Sequence, residues 1–449
     1  MKTVKIKKGW QFKITGKPSQ RIEERPANTY VASLPEKIPF VKPRLHVQKG
    51  DNVKIGSVLF EDKKHSDLKF LSPGSGRISD INYGPRRVIQ EVVIALDDNE
   101  THEPFNVYSE PVLDEIDRNT LISRLMSGGM WPFIRQLPFR QIADPDFLPN
   151  AVWVTLGSAD PFQPSAQVYL KDQADFFESG IKAIRRLADT VSICRYDETS
   201  DKNDSAANMV THRILGKYPA SDPGVVLYHT KKTASENQDW YIDGQDVIHI
   251  GKFLKTGAYP TDRIVSFSDG SSENSFHLKT RMGVRLNDLV SRKTDNQYKR
   301  WIVGGVLSGY MSTFDNFLDL YHTSIMIIEE SHESELFGFV RPGSKKLSNS
   351  RTVLSAASSE PLSINSDMHG EKRPCVNCGY CANICPVDIM PQFTYKSIDA
   401  DEIEEALAYG LLDCVECGLC SFVCPSKIEL SDFLINAKHR YHKELNQIV

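Results

Sequence analysis

Cys375-Val376-Asn377-Cys378-Gly379-Tyr380-Cys381-Ala382-Asn383-Ile384-Cys385-Pro386 returns 39 residues later as Cys414-Val415-Glu416-Cys417-Gly418-Leu419-Cys420-Ser421-Phe422-Val423-Cys424-Pro425, identical at seven of twelve positions. Each copy reads C-x2-C-x2-C-x3-C-P. Three cysteines at two-residue gaps wrap a loop around one metal core and supply three thiolates. The fourth is carried away on a helical turn and reaches the core held by the other copy. The proline ends the loop and forces a change of direction. The spacing therefore assigns Cys375, Cys378, Cys381 and Cys424 to one core, and Cys414, Cys417, Cys420 and Cys385 to the other. Gly379 and Gly418 are expected to let the backbone come close to each core.

This spacing is the pattern of bacterial two-cluster ferredoxins, so the cofactors it predicts are two 4Fe-4S clusters. Structural zinc takes four ligands, usually from two short pairs, and has no use for C-x2-C-x2-C twice with a trailing C-P. Eight of the nine cysteines lie between Cys375 and Cys424, and Cys194 stands alone. That skew excludes a disulfide framework spread through the fold.

Around the repeat, residues 371–449 read as an α-helical ferredoxin-like domain. Asp399 to Leu412 is acidic at its start and apolar at helical spacing toward its end. A second helix is expected from Ser431 to about Leu445. The domain holds 7 Lys+Arg and 12 Asp+Glu, a local −5, which reads as a solvated face or an acidic rim that steers a redox partner.

Working back, residues 344–370 form a serine-rich linker, with eight serines between 344 and 366. Residues 258–343 read as a small β-grasp (SLBB-like) domain, with a strand pair around Ser324–Ile328 and Leu336–Val340. Residues 106–257 alternate strands and helices in a Rossmann-like α/β domain. Ala151–Leu156, Val191–Arg195 and Val225–Tyr228 are its strands; Lys171–Ala188 and Gln245–Leu254 are its helices. Cys194 is a small core residue in its strand. The glycine stretches Ser127-Gly128-Gly129-Met130-Trp131 and Leu156-Gly157-Ser158-Ala159-Asp160 lack the run of small residues that closes on a pyrophosphate, and no phosphate-binding motif occurs. A flavin or nucleotide site is thus not expected in this chain. Residues 1–105 carry short alternating strands in two halves, Leu45–Phe60 and Ser72–Ile94, in the manner of the barrel-sandwich hybrid of biotinyl and lipoyl domains. The tip Glu61-Asp62-Lys63-Lys64-His65 lacks the context of a modified carrier lysine and reads as structural. The fold class is α+β, multidomain.

Composition supports this and removes other classes. At 449 residues with 40% hydrophobic and 25% charged residues, the chain can bury several cores. A net charge of −4 offers no basic excess for nucleic acid. The most apolar run, Trp301–Met311, is half the ~20 residues a bilayer-spanning helix needs. The start, MKTVKIKKGWQFKITGKPSQ, has no signal-peptide apolar core and reads as a strand with a lysine face.

The whole chain resembles the A subunits (NqrA) of the sodium-translocating NADH:quinone reductase (Nqr) family, relatives of the C subunits of the Rnf ferredoxin:NAD complexes. The stretches that carry the resemblance are Ile6–Gly9, His46–Asp51, Val58–Lys64, Gly84–Gln90, Pro138-Phe139, Gln245–Ile248, Thr261–Ser266 and Glu335–Gly338. The resemblance implies a peripheral protein on the cytoplasmic face of the bacterial inner membrane. Its partners would be subunits B to F, which hold it at the membrane, and a quinone. The complex would pass electrons from NADH to ubiquinone or menaquinone and export Na⁺. Two departures stand out. The Gly-Gly-Ala-Gly-Phe-Pro type loop of the Rnf relative is replaced by Ser127–Pro132. The eight cysteines, by contrast, are complete, whereas many NqrA chains keep only a fragment like Phe422–Pro425. Three readings stay open: an Nqr-type redox subunit, an Rnf-type C subunit, and a scaffold whose clusters are structural. Catalytic side chains cannot be named from the sequence.

Overall fold

Strand Val152–Leu156 is the hub of the molecule. Its VWVTL run is buried almost throughout, as a strand covered on both faces requires. The computed structural model describes residues 1–449 except 28, 109, 197–205, 272–273, 291–298, 331–341, 345–353, 359, 363, 365, 367–371 and 449. Around the hub lies a seven-stranded sheet in the order Lys2–Lys5, His212–Leu215, Val191–Tyr196, Val152–Leu156, Trp240–Asp243, Arg135–Gln136, Gln141–Ile142. The first five strands are parallel; the last two turn back antiparallel. Helices Ala174–Arg185 and Gly244–Thr256 bury apolar faces that include Phe177, Ile181, Val247 and Phe253. Asp243 caps the second helix by accepting from the Gln245 amide at 2.9 Å.

The expected strand at Val225–Tyr228 is instead part of a helix, Pro223–Thr230. Asp222 caps it by accepting from the Gly224 amide at 2.8 Å, and Pro223 occupies the first turn, where its missing N–H costs nothing. Two adjacent valines gave a strand signal, but the Asp-Pro cap outweighs a weak propensity.

Two smaller sheets make the barrel-sandwich part. One runs Tyr30–Ser33, Ile89–Leu96, Gly76–Tyr83, Asn52–Val53; the other runs Pro43–Leu45, Val58–Asp62, Lys69–Leu71. Leu59, Phe60, Ile78, Val92 and Ile94 fill the space between them, with Phe60 stacked on Phe70 at 4.5 Å. The Lys63 amide donates to Lys42 O at 2.8 Å, so the exposed tip is anchored at its base. A six-stranded sheet follows: Tyr310–Ser312, Lys299–Val303, Ser324–Glu329, Asp262–Ser268, Ser275–Arg281, Ile22–Glu24. The strand expected at Leu336–Val340 lies outside the described residues, as does most of the serine-rich segment.

The first 25 residues do not join the barrel with which they were grouped. Lys2–Lys5 pairs in parallel with His212–Leu215, and Ile22–Glu24 pairs in parallel with His277–Lys279. Each strand completes the open edge of a sheet built much later in the chain.

The C-terminal part is helical: Tyr380–Ile384, Pro391–Asp399, Ile403–Ala408, Leu419–Phe422 and Leu430–Ile448. The acidic helix expected over 399–412 is broken. Asp401 (φ 60°) and Gly410 (φ 93°) are left-handed, so only Ile403–Ala408 is α-helical there. Val387, Ile389, Leu411, Val415 and Leu434 share one apolar core with Ile6, Trp153, Ile214 and Val225 of the hub sheet and its flanking helix. No helix among the described residues is long and apolar enough to cross a membrane.

Candidate metal centre

The cysteine repeat is also a repeat of backbone shape. Asn377, Gly379 and Asp388 have φ of 54°, 74° and 54°; Glu416, Gly418 and Lys427, 39 residues on, have 59°, 74° and 55°. Each C-x2-C loop passes twice through the left-handed region, and a short helix starts at its glycine. The glycines thus serve a positive φ that L residues adopt only with strain. Cys385 leaves its helix extended, as a residue before proline must.

Cys414, Cys417 and Cys420, each half-buried, line one pocket together with the buried Cys385, flanked by Val387, Ile389, Leu419 and Leu434. These are the four residues grouped from the spacing, three from one copy and the fourth from the other. In the other set, Cys375 and Cys378 lie on a surface loop, with Cys381 and Cys424 buried beneath. The Arg373 amide donates to Ser426 O (2.9 Å) and Ser426 Oγ to Pro374 O (3.0 Å), which ties the loop of Cys375 beside the segment of Cys424. The Cys381 thiol donates to Gln392 Oε1 at 3.1 Å. All nine cysteines are free thiols, and Cys194 is buried in its strand as expected. Among the described residues, no three His, Cys, Asp or Glu side chains converge on a single-ion site. A four-iron core places each thiolate on its own iron, so its sulfurs spread wider than those around one ion.

Burial pushes the Cys385 thiol up to about 12 and the Cys381 thiol up to about 11. It also holds Cys414, Cys417 and Cys420 above the usual thiol range. Thiols so buried ionise only against a compensating positive core, and loading such a site releases their protons. The donor set fits iron–sulfur ligation in number, type and burial.

The inner set, Cys414 to Cys420 with Cys385, is sealed by residues that carry no motif. Tyr218 donates its hydroxyl to Cys417 O at 2.7 Å. Arg140 Nη2 donates to Val415 O at 2.9 Å and to Asp222 at 2.7 Å. Lys438, wholly buried, donates to Cys414 O and Pro138 O, both at 2.8 Å, and to Glu416 Oε1 at 2.5 Å. Burial opposes ionisation of Glu416, but Lys438 and Arg140 outweigh it and hold the carboxyl below its ordinary value. Lys231 pairs with Asp413 at 2.7 Å, and His229 Nε2 meets Pro386 O at 2.8 Å. The sequence held one signal for this group. Lys438 follows Leu434 by four residues on the apolar stripe of its helix, a position for a core side chain. Beside the outer set, Lys372 pairs with Glu429 at 2.8 Å.

Within the stretch Ser127–Pro132, residues Gly128 to Pro132 are packed into the interior. A Cβ on Gly128 would strike the Phe253 ring, and one on Gly129 would meet Leu71. Met130 and Trp131 are fully buried, and Trp131 Nε1 donates to Ala143 O at 2.8 Å.

These features define a class: a multidomain component of an oxidoreductase, with an eight-cysteine ferredoxin-like domain docked on an α/β sheet and a barrel-sandwich unit. Comparison with known proteins gives the family. Residues 4–97 match the NqrA N-terminal barrel-sandwich hybrid domain, 116–259 the NqrA second alpha/beta domain, and 374–428 a 4Fe-4S dicluster domain. The chain is similar to the A subunit of the Na(+)-translocating NADH-quinone reductase of Yersinia pestis bv. Antiqua (strain Angola), 34% identical over 99% of this chain and 98% of that one. The same protein of Histophilus somni (strain 2336) is 32% identical over 91% of this chain and 92% of its own. That of Neisseria meningitidis serogroup B (strain ATCC BAA-335 / MC58) is 32% identical over 99% and 98%. The chain belongs to the NqrA family, the A subunits of the Na(+)-translocating NADH-quinone reductases. A solved NAD+-reducing [NiFe]-hydrogenase chain (H2-reduced state) overlaps 76% of this chain and 65% of its own at a TM-score of 0.34 and 11% identity, a likeness too slight to bear on fold or function.

Proposed function

We propose that this chain is the electron-relay form of its family. Cys375, Cys378, Cys381 and Cys424 hold one 4Fe-4S cluster; Cys414, Cys417, Cys420 and Cys385 hold the other. The observation that carries this reading is the single pocket lined by Cys414, Cys417, Cys420 and the distant Cys385. Bound there, the clusters supply one-electron carriers. The chain's own work is to fix eight sulfurs, hold the inner loop against the α/β domain and leave the outer loop at the surface. Tyr218, Arg140 and Lys438 clamp the carbonyls of Cys417, Val415 and Cys414, so the inner loop cannot loosen without breaking contacts to the α/β domain.

On this reading the chain works with subunits B to F on the cytoplasmic face of the inner membrane. The assembled complex moves electrons from NADH to a quinone and exports Na⁺. We divide the chain into 1–105, 106–257, 258–343, 344–370 and 371–449, with the start of the first part lending edge strands to the sheets of the second and third. The parallel order His212–Leu215, Val191–Tyr196, Val152–Leu156, Trp240–Asp243 supports a Rossmann-like second domain, because it is the 3-2-1-4 arrangement of a doubly wound half. The burial of Gly128 to Pro132 supports keeping flavin and NADH on other subunits.

Anaerobic purification with iron and acid-labile sulfide assays tests the reading. About eight irons per chain are expected from two four-iron clusters, and fewer than about four would overturn it. Cys378→Ser and Cys417→Ser should each alter the EPR signal of a different cluster. In the assembled complex both should lower NADH:quinone turnover; full activity without clusters would leave only the scaffold reading.

A further inference from the structure

The repeat is symmetric in sulfur but not in charge. Shifting by 39 residues superposes helix Pro391–Asp399 on the start of helix Leu430–Ile448, so Asp399 is the counterpart of Lys438. Asp399 is exposed, whereas Lys438 is buried with its ammonium on the carbonyl of a cluster ligand. Likewise Asn377 stands where the inner loop has Glu416. The inner site thus has four close charges, Lys438 and Arg140 against Glu416 and Asp222. Lys438 also spans three parts of the chain. It holds the Cys414 carbonyl, the Glu416 carboxylate and Pro138 O of the α/β domain.

We propose that Lys438 is a positioning residue whose buried charge raises the reduction potential of the cluster held by Cys414, Cys417, Cys420 and Cys385, so that the two clusters of this chain are not equivalent. The inference rests on the two-cluster reading. Its physical basis is that net charge and hydrogen bonding near the sulfurs set a cluster's potential. A positive charge in a water-excluded site favours the reduced, more negative state and is weakly screened. Arg140 does not duplicate the role, because its Nη2 reaches Val415 O and Asp222, whereas Lys438 donates to the carbonyl of Cys414 itself.

The test is an EPR-monitored redox titration of the full-length, iron-loaded chain. Lys438→Met should lower the potential of one cluster by three- to tenfold in its reduction equilibrium, where tenfold is about 59 mV for one electron. The other cluster should stay within experimental error. Glu416→Gln should move the same cluster the opposite way, the double variant should return it toward the parent, and Lys438→Arg should largely preserve it. A purely structural lysine gives no such change of sign. Shifts of one sign in both single variants, or no shift at full iron content, would overturn the inference. Should Lys438→Met lose its iron, Glu416→Gln decides alone, since an upward shift is required of it. Absence of iron from the parent chain would instead defeat the two-cluster reading.

Discussion

Gly379 and Gly418 have the same φ, 74°, but different surroundings, and that pair yields a quantitative test. A Cβ on Gly379 meets nothing within 4 Å, whereas one on Gly418 would sit 2.6 Å from Leu307 O and 2.9 Å from Leu307 Cβ. In Gly379→Ala the alanine carries only the left-handed penalty, about 1–2 kcal/mol. Loss of unfolded-chain entropy offsets about 0.4–1 kcal/mol of that, for a net cost of about 1 kcal/mol. Gly418→Ala adds a collision with main chain, and overpacking of that kind costs about 1–3 kcal/mol. Its net cost is therefore about 2–4 kcal/mol. Anaerobic denaturation, followed by loss of iron–sulfur absorption and by tryptophan fluorescence, measures both. Gly418→Ala should unfold its cluster domain at clearly lower denaturant, while Gly379→Ala stays near the parent. Equal midpoints, or a larger effect at Gly379, would refute the idea that packing on Leu307 separates the two loops.

Two further outcomes follow from the scaffold. Arg263, 3% exposed, pairs with Asp246 at 2.6 Å, so Arg263→Ala strands a buried carboxylate and should cost about 3–5 kcal/mol in denaturant unfolding. Asp160 Oδ1 is sealed without a hydrogen-bond partner, and burial pushes its carboxyl up to about 7 from an ordinary 3.8. Between those pH values the unfolded chain has released a proton that the folded chain keeps, so this group's contribution to stability is full below pH 3.8 and is lost as pH rises to about 7. The stability advantage of Asp160→Asn over the parent should accordingly grow from pH 5 to pH 7 and level off above; a flat difference would contradict the burial argument.

The cysteine ligands could be read from sequence because their chemistry constrains spacing directly. The loop glycines were legible too, and the structure adds a left-handed φ of 74° at both. Local caps were the weak point: Asp222-Pro223 starts a helix that two valines disguised as a strand, and Pro391 at a helix start went unread. Lys438 and Arg140 could not be assigned from sequence, because a buried cation acquires meaning only from acceptors 22 to 300 residues away. Parallel pairing of Lys2–Lys5 with His212–Leu215 is non-local, and no periodicity encodes a partner.

That pairing has a consequence for how the protein is made. The first strand cannot find its neighbour until about residue 215 has left the ribosome. At about 5–20 residues per second the N-terminus then waits roughly 10 to 40 s with its edge unpaired. Trp10 and Phe12 wait longer still for their ring partner Phe422, which is made far later than residue 215. Segments far apart in the chain therefore close over each other, and the ferredoxin-like part serves as the clasp. Chains released early would present an open sheet edge to chaperones, whereas cluster insertion and N-terminal docking would finish together.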